Sequence, residues 1–462
     1  MTLSQLAKTL GARQIQGADA LRFGGVSTDT RKIKAGDLYI ALRGEHFDGA
    51  NFVEQARSAG AAAALINADS TGAMPDVEFP ILTVEDTRRA LGQLAAHRRR
   101  QFNIPLVAIT GSNGKTTVKE MTASILRVAA GSDAAVLSTA GNFNNDIGMP
   151  LTLLRLNAQH RYAVIEMGMN HPGEIDYLTQ IAMPQVALIN NASGAHLEGM
   201  GSLAAVAKAK GEIFTGLQHE GSAIINADDE HAPLWRTLAG VHSLLEFGLN
   251  EDADVSGHWY PSDSGLRLIA KTPSGDFTAD LKVQGEHNAR NALAATAAAI
   301  ALNLPLESIV AGLESFTGVA GRLQRKQGKN GAIVIDDTYN ANPASLQAAI
   351  AVLAEMAGRR VLVLGDMGEL GEDAADFHAQ IGATARAAGI DRLLALGELS
   401  RHAVKEFGSD AGQYFDSIEK LLIELDAELK EGTTLLVKGS RFMKMERVVA
   451  ACVAAENSQE IH

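Results

Sequence analysis

Apolar and polar residues follow two different periods along the chain. Stretches with an apolar residue every three or four positions predict helices, and short continuous apolar runs between them predict buried strands. The two kinds of element alternate from one end of the sequence to the other. This alternation is typical of α/β folds with largely parallel sheets.

Breaks in this pattern divide the chain into three expected domains. The first covers residues 1–84 and ends in an apolar strand, after which a helix leads to Pro105. The second covers residues 85–320 and ends with an Ala-rich helix and a glycine-rich segment. Glycine can change its backbone dihedral angles at low energetic cost, so we expect a hinge at this segment. Residues 321–462 alternate strand and helix again and form the third domain.

Several of the predicted strands run directly into polar or glycine residues. In the second domain such strands end at Gly111, Glu166 and Asn190, and in the third they end at Asp337 and Lys438. In open parallel sheets, ligands bind outside the carboxyl ends of the strands. The sequence therefore predicts a cleft between the last two domains, with a polar sheet edge on each side.

One of these strand ends has the composition of a phosphate-binding loop. An apolar strand is followed by Gly111, Ser112, Asn113, Gly114, Lys115, Thr116 and Thr117, and then by a helix predicted to begin near Val118. Glycines let backbone amides approach phosphate oxygens, a lysine reaches the terminal phosphates, and a threonine hydroxyl can bind magnesium. Ile109 stands where the common form of this loop has its first glycine. The loop predicts binding of a nucleoside triphosphate with magnesium.

Two further residues are candidate magnesium ligands. Glu166 ends a strand, and beside a phosphate loop a strand-end carboxylate is well placed to hold magnesium. His196 lies in a glycine-rich loop and is either a magnesium ligand or an ordinary loop residue.

Lys210 lies on the apolar face of a helix predicted over residues 202–217. Val206, Ile213 and Phe214 share that face, whereas Lys208 lies on the outer face, four residues before Glu212 and able to pair with it. A buried lysine has a lowered pKa, and its neutral amine is a nucleophile that carbon dioxide can convert into an anionic metal ligand. The alternative is a lysine that extends along the helix edge into water.

Other candidates occupy predicted helix starts and strand ends. Asn288 and Asn291 share one face at the start of a helix, where they either contact a planar base or cap the helix. Arg322 follows the predicted hinge, and Asp337 lies in a loop suited to a ribose or a triphosphate. In the first domain, Ser27, Asp29 and Arg31 belong to polar loops around a strand, a candidate ligand platform.

Composition narrows the possible partners and location. The net charge is −13 and the longest basic run has three arginines, so we expect no nucleic-acid partner. The single cysteine, Cys452, excludes an internal disulfide and lies in a predicted packed helix. The longest uncharged apolar stretch is too short for a membrane span, and the N-terminus lacks the apolar segment of a signal peptide. We expect a soluble cytoplasmic protein.

Together these residues resemble the Mur ligase family, whose members build the peptide stem of bacterial peptidoglycan. The resemblance covers nearly the whole chain and implies three α/β domains. These are a small N-terminal domain that binds a UDP-muramoyl peptide, a central P-loop ATPase domain with a mostly parallel sheet, and a Rossmann-like C-terminal domain that binds the incoming substrate and closes on ATP.

Four runs resemble the members that add a dipeptide: residues 142–150, 336–343, 365–371 and 438–443. They imply ligation of D-alanyl-D-alanine to UDP-N-acetylmuramoyl-tripeptide through an acyl phosphate, by a monomer. The Asp-Asn-Pro-Arg motif of the tripeptide-forming member is absent from the sequence. The alternatives are that member, a folylpolyglutamate-type ligase, and a nucleotide-binding regulator that has lost catalysis.

The resemblance also implies a role for each candidate residue. Lys115, His196, Lys210 and Arg322 would be catalytic, with one magnesium ion at Thr116 and Glu166 and a second at His196 and carbamylated Lys210. Asn288, Asn291 and Asp337 would contact the nucleotide. Ser27, Asp29, Arg31 and Asn145 would contact the UDP-linked substrate.

Overall fold

The computed structural model describes residues 1–16, 19–73, 79–193, 202–249, 252–262 and 265–454. Within these ranges the strands form four sheets. The strands are β1 (Arg13–Gln16), β2 (Val26–Ser27), β3 (Leu38–Ile40), β4 (Ala63–Asn67), β5 (Ile81–Val84), β6 (Leu106–Thr110), β7 (Val136–Ser138), β8 (Tyr162–Glu166), β9 (Val186–Ile189), β10 (Ser222–Asn226), β11 (Ser243–Phe247), β12 (Ser256–Ser262), β13 (Gly265–Lys271), β14 (Phe277–Leu281), β15 (Gln324–Gln327), β16 (Ile333–Asp337), β17 (Arg359–Gly365), β18 (Arg392–Leu396), β19 (Gly412–Phe415) and β20 (Thr433–Lys438).

The α-helices lie between these strands and cover the faces of the sheets. Their bounds are Leu3–Leu10, Val53–Ser58, Thr87–Arg100, Lys115–Ala130, Gly148–Leu154, Glu174–Ala182, Leu203–Gly211, Ala232–Ala239, Glu286–Ala301, Leu306–Ser315, Pro343–Ala354, Ala374–Ala387, Ser400–Phe407, Ile418–Glu428 and Glu446–Cys452. None of the helices in the described ranges combines the length and apolarity needed to span a bilayer.

The first sheet has the strand order β1-β5-β4-β3-β2, with β1 antiparallel to β5 and the other pairs parallel. Helix Thr87–Arg100 packs Leu91 and Leu94 against this sheet and buries Ala95 in the core of the next one. Asp86 caps this helix by accepting hydrogen bonds from the amides of Arg88 and Arg89. One helix therefore fixes the first sheet against the central one.

The central sheet is parallel throughout, in the order β11-β10-β9-β6-β8-β7. Strands β6 and β9 are completely buried, and β8 and β10 are buried except at their first residues, because helices cover both faces. The carboxyl ends of β6, β8 and β9 therefore meet at one edge. This arrangement confirms the parallel sheet that the apolar runs predicted.

A separate antiparallel sheet, β12-β13-β14, packs on the Ala-rich helix Glu286–Ala301. This sheet was not among the predicted elements. Along β13, Leu266, Leu268 and Ala270 are buried against the helix, whereas Ile269 on the other face is exposed. Small alanine side chains on the helix let this sheet approach closely, so an Ala-rich face here indicates a packing partner.

The last sheet has the order β15-β16-β20-β17-β18-β19, parallel except for the β15–β16 pair. Helices again cover both faces. Cys452 is buried in helix Glu446–Cys452, and burial raises the pKa of its thiol to about 11. The prediction of a packed terminal helix is confirmed.

Two predicted helix boundaries are wrong. The helix after the phosphate loop begins at Lys115 rather than near Val118, because Gly114 is its N-terminal flanking residue. The helix predicted over residues 202–217 ends at Gly211 and tightens into the 3-10 segment Glu212–Gly216.

Candidate active site

The phosphate loop connects the buried strand β6 to helix Lys115–Ala130. Gly114 has a φ of +77°, and a Cβ atom added there would lie 2.5 Å from both Asn190 Nδ2 and Asn291 Oδ1. The loop is hydrogen-bonded to the segment that follows β9, where Asn191 Oδ1 accepts a 2.9 Å hydrogen bond from the amide of Asn113. Only glycine fits position 114, because both the backbone angle and the space exclude a side chain.

Lys115 folds back over this loop. Its Nζ donates hydrogen bonds to the carbonyl oxygens of Gly111 at 2.6 Å and Ser112 at 3.0 Å. Burial lowers the pKa of the Lys115 ammonium, the nearby Glu166 carboxylate raises it, and Arg322 lowers it again. A bound anion would stabilise the buried Lys115 ammonium, because it would supply the negative charge that the loop lacks.

Thr116, Glu166 and Arg322 meet beside the loop. Thr116 Oγ1 donates to Glu166 Oε2 at 2.8 Å, and Asn144 Nδ2 donates to the other carboxylate oxygen at 2.7 Å. Arg322 Nη2 donates to Thr116 Oγ1 at 2.9 Å. Helix Lys115–Ala130 supplies the hydroxyl, strand β8 supplies the buried carboxylate, and the arginine comes from the start of the last domain.

This group suits magnesium bound together with a phosphate. The described residues contain no cluster of three or more His, Cys, Asp or Glu side chains able to hold a metal ion alone. Magnesium is usually held by one or two protein oxygens plus substrate phosphates and waters. The Thr116 hydroxyl and the Glu166 carboxylate, next to a phosphate loop, are such a donor set.

Lys210 is buried, with 2% of its surface exposed, at the end of helix Leu203–Gly211. Burial lowers the pKa of its amine well below the usual value, and the neighbouring Lys115 ammonium lowers it further. Among the described residues, none forms a hydrogen bond or ion pair with Lys210. The predicted burial of this lysine is confirmed, and its amine lies within electrostatic reach of the phosphate loop.

The expected pairing of Lys208 with Glu212 is wrong. The Glu212 carboxylate instead accepts hydrogen bonds from the amides of Gly173 at 2.9 Å and Asp176 at 3.2 Å. It thereby caps helix Glu174–Ala182, because free amides at a helix start attract an anion more specifically than an exposed lysine does.

Asn288 and Asn291 lie on one face of helix Glu286–Ala301, as predicted, but they bond to each other. Asn291 Nδ2 donates to Asn288 Oδ1 at 3.2 Å, and Asn291 Oδ1 accepts from Asn190 Nδ2 at 3.0 Å. Asn288 Nδ2 donates to the carbonyl of Gln284 at 2.8 Å. The pair therefore forms part of a polar wall with Asn190 behind the phosphate loop.

Arg322 follows a tight turn at Gly321, which has a φ of +71°. The guanidinium lies 4.2 Å from the centre of the Tyr339 ring, and its buried Nε has no hydrogen-bond partner among the described residues. Stacking on the tyrosine orients the group toward Thr116. A buried donor left unpaired beside a phosphate loop is suited to an anionic ligand.

Asp337 ends β16 on the opposite side of the cleft. Its carboxylate pairs with the buried Lys438 Nζ at 2.6 Å and accepts a 3.1 Å hydrogen bond from the amide of Leu323. His287 lies near this pair, and burial lowers the pKa of its imidazole to about 4. A closed ion pair on the side of the last sheet therefore lies near a neutral histidine at the start of helix Glu286–Ala301.

A cavity of about 940 Å³ lies between the central and last sheets. Across it, Asn342 Nδ2 donates to Asn113 Oδ1 of the phosphate loop at 2.8 Å. The cavity lining includes these predicted site residues: Ser112, Asn113, Gly114, Lys115, Thr117, Glu166, Asn288, Asn291, Arg322 and Asp337. The predicted cleft with two polar edges is thus present. Gly111 and Thr116 are not part of its lining but adjoin lining residues in the chain.

The candidates in the first domain lie away from this cavity. Ser27 Oγ donates to the carbonyl of Asp29 at 2.9 Å, and Asp29 pairs with Arg31 at 2.9 Å. The Arg31 side chain lowers the pKa of the Asp29 carboxyl to about 2. Asn145 caps helix Gly148–Leu154 by accepting from the amide of Gly148 at 2.9 Å.

His196 lies outside the described residues. Two other polar residues at the site escaped the sequence analysis as site residues: Asn144, which binds Glu166, and Lys119, which is buried one turn after Thr116. Both follow the predicted sheet edge, Asn144 in the loop after β7 and Lys119 on the helix after β6. No local sequence signal marked either residue, because Asn144 lies in a loop and Lys119 lies on a helix that is packed on more than one side.

A phosphate loop facing a second α/β sheet across a polar cleft defines a nucleotide-dependent enzyme that works between two domains. The chain matches the family models described as Mur ligase family, catalytic domain, over residues 22–99, Mur ligase middle domain, over 109–299, and Mur ligase, glutamate ligase domain, over 321–441. The chain therefore belongs to the Mur ligase family.

Individual relatives share nearly the full length. The chain is 45% identical over 455 residues to UDP-N-acetylmuramoyl-tripeptide–D-alanyl-D-alanine ligase from Escherichia coli, covering 98% of each chain. A crystal structure of MurF from Acinetobacter baumannii superposes with a TM-score of 0.90 at 37% identity, covering 97% of this chain and 98% of that one. MurF ligase from Thermotoga maritima in complex with ADP gives a TM-score of 0.81 at 27% identity, covering 93% and 97%.

Proposed function

We propose that this protein is an ATP-dependent ligase that joins D-alanyl-D-alanine to UDP-N-acetylmuramoyl-tripeptide and releases ADP and phosphate. The observation that carries the proposal is the meeting of Lys115, Glu166 and Arg322 at one cleft between two sheets. The substrates follow from the E. coli relative, which carries this activity in its name and is 45% identical over 98% of its length. The ADP complex of the T. maritima structure supports the nucleotide.

Each domain has one task in this proposal. Residues 1–84 bind the UDP-muramoyl peptide, residues 85–320 bind ATP, and residues 321–462 bind the incoming dipeptide and close on ATP. The hydrogen bond from Asn342 to Asn113 supports closure, because it joins the last domain to the phosphate loop.

The reaction needs an activated carboxylate, since a carboxylate does not acylate an amine unaided. The terminal phosphate of ATP is transferred to the free carboxylate of the tripeptide, which gives an acyl phosphate and ADP. The amine of D-alanyl-D-alanine attacks the acyl carbon, and the tetrahedral intermediate expels phosphate as the amide forms. The proton lost by the amine goes to the departing phosphate or to water.

Cationic side chains stabilise the charge that develops during phosphoryl transfer. Lys115 holds the terminal phosphates after leaving its carbonyl partners on the loop. Arg322 moves with the last domain and brings the positive charge of its guanidinium close to the transferring phosphoryl group, from the side of the hinge. Fixed charges in a cleft that excludes water act with little reorganisation cost, so they provide most of the catalysis.

Magnesium would be held by Thr116 and Glu166 together with the phosphates of ATP, and it would neutralise charge on those phosphates. A second ion would be held by His196 and by Lys210 in carbamylated form. The neutral amine of Lys210 adds to carbon dioxide and loses a proton, giving an N-carboxylate. The lowered pKa of this buried lysine supports the modification, because only the unprotonated amine reacts.

The remaining candidates contact the two nucleotides. In this proposal Asn288 and Asn291 contact ATP toward its base, and Asp337 contacts its ribose. Ser27, Asp29, Arg31 and Asn145 bind the UDP-linked tripeptide. A monomer in the cytoplasm, where ATP is supplied, fits these roles.

A substrate-omission assay tests the proposal. Release of phosphate is measured with ATP, magnesium and the UDP-linked tripeptide, with D-alanyl-D-alanine either present, absent or replaced by single amino acids. We expect sustained release only with the dipeptide. Equal phosphate release with a single amino acid would favour a different ligase activity of the family. No phosphate release with any muramoyl peptide would contradict the proposed ligase activity.

A further inference from the structure

Lys119 is a buried lysine to which the proposed reaction assigns no role. It lies on helix Lys115–Ala130, three residues after Thr116 and therefore on the same side of the helix. Its side chain is 1% exposed, and its Nζ lies 2.7 Å from Glu120 Oε1, which balances the charge. A lysine is almost never buried so completely without a specific partner.

That partner is the backbone of Thr139, at the end of β7. Lys119 Nζ donates a 2.6 Å hydrogen bond to the carbonyl oxygen of Thr139. Thr139 is itself fully buried, and its amide donates to the carbonyl of Val164 at 3.1 Å. The lysine thus fixes one residue at the point where the chain leaves the central sheet.

Thr139 in turn holds Glu166 from two directions. Its Oγ1 accepts a 3.0 Å hydrogen bond from the amide of Glu166. It also begins the loop that carries Asn144, whose amide donates to Glu166 Oε1 at 2.7 Å. The backbone and one carboxylate oxygen of Glu166 are therefore both set by the position of Thr139, while Thr116 sets the other oxygen.

We infer that Lys119 is a positioning residue for the divalent cation, acting through Thr139 on Glu166. The inference rests on the proposed function, in which Glu166 and Thr116 hold magnesium. The helix supplies one ligand, Thr116, and Lys119 on the same helix fixes Thr139, which is hydrogen-bonded to the strand that supplies the other. The distance between the two oxygen donors is thereby locked before the cation binds. Removing partners that orient metal ligands typically costs about 10- to 100-fold in metal affinity.

The test measures cation binding without turnover. Calorimetric titration of Mn²⁺ into the ADP-bound protein compares wild type with Lys119→Met, and a parallel titration measures ADP alone. We expect about 10-fold weaker Mn²⁺ binding in the variant with unchanged affinity for metal-free ADP. Thr122→Val is the matched control, because Thr122 is fully buried on the same helix and its hydroxyl has no partner among the described residues.

A second pair of variants covers the case in which Lys119→Met does not fold. Thr139→Val removes the oxygen that accepts from Glu166, whereas Thr139→Ser keeps it, so only the valine variant should weaken Mn²⁺ binding. Mn²⁺ affinity equal to wild type in either Lys119→Met or Thr139→Val would overturn the inference, as would equal losses for metal and metal-free ADP. If wild type itself binds no Mn²⁺ with ADP, the metal role of Glu166 fails, and this inference fails with it.

Discussion

Replacing Lys210 with methionine should make the protein more stable and remove its activity. Burial lowers the pKa of Lys210 well below its usual 10.5, so folding disfavours the proton that the unfolded chain binds at neutral pH. Each unit of lowering costs about 1.4 kcal/mol of folding free energy. Methionine fills a similar volume without the amine, and we expect a gain of about 1–3 kcal/mol. In a domain of this size that raises Tm by about 2–4 °C per kcal/mol.

The pH dependence of this gain has a fixed sign. A lysine whose pKa is lower in the folded state costs nothing above its unfolded pKa of 10.5, and the cost grows as the pH falls below that value. The difference in Tm between Lys210→Met and wild type should therefore increase from pH 10 to pH 7. Scanning calorimetry in buffers free of carbon dioxide measures it.

Bicarbonate distinguishes the free amine of Lys210 from its carbamylated form. Adding it should raise the Tm of wild type and leave Lys210→Met unchanged, because only the lysine can be carbamylated. In the ligation assay, Lys210→Ala should be inactive and partly restored by short carboxylic acids that replace the carbamate. A Tm difference that shrinks toward neutral pH would refute the burial argument. Full activity of Lys210→Ala would refute the carbamate.

Three further predictions concern the cleft. Gly114→Ala should lose nucleotide binding, measured by ADP titration, because the φ of +77° costs about 1–2 kcal/mol and the new Cβ would lie 2.5 Å from Asn291 Oδ1; unchanged ADP affinity would contradict the tight fit. Arg322→Ala should lower kcat by about 10²- to 10³-fold with a smaller change in KM for ATP, as expected for a group that acts on developing charge; a change confined to KM would contradict this. His287→Gln should abolish the fall in Tm that wild type shows between pH 6.5 and pH 4. The folded pKa of about 4 lies below the usual 6.5, so the folded protein favours the neutral imidazole and loses stability as the pH falls through this range. Identical pH profiles of Tm for the two proteins would contradict this prediction.

The main features of the fold and of the phosphate loop were predictable because they depend on local signals. Continuous apolar runs predicted the parallel strands, and a polar residue directly after each run predicted the sheet edge. Helical phase placed Lys210 on the apolar face of its helix, and the resemblance to the Mur ligase family then favoured burial over extension into water. These signals involve residues close together in the sequence.

Features that depend on partners far away in the sequence were missed. Glu212 was assigned to Lys208, four residues away, whereas its partners are amides 36 and 39 residues distant. Lys119 lies on a helix packed on more than one side, so a single apolar stripe could not mark it as buried.

Transfer of oxygen from the tripeptide to phosphate tests the central claim most directly. The reaction is run with ATP, D-alanyl-D-alanine and UDP-linked tripeptide whose acylated carboxylate carries ¹⁸O in both positions, and the released phosphate is analysed by mass spectrometry. An acyl phosphate keeps one carboxylate oxygen on phosphorus when the amine displaces it. The account therefore predicts one ¹⁸O atom in each phosphate released. Formation of the pentapeptide product with unlabelled phosphate would contradict it.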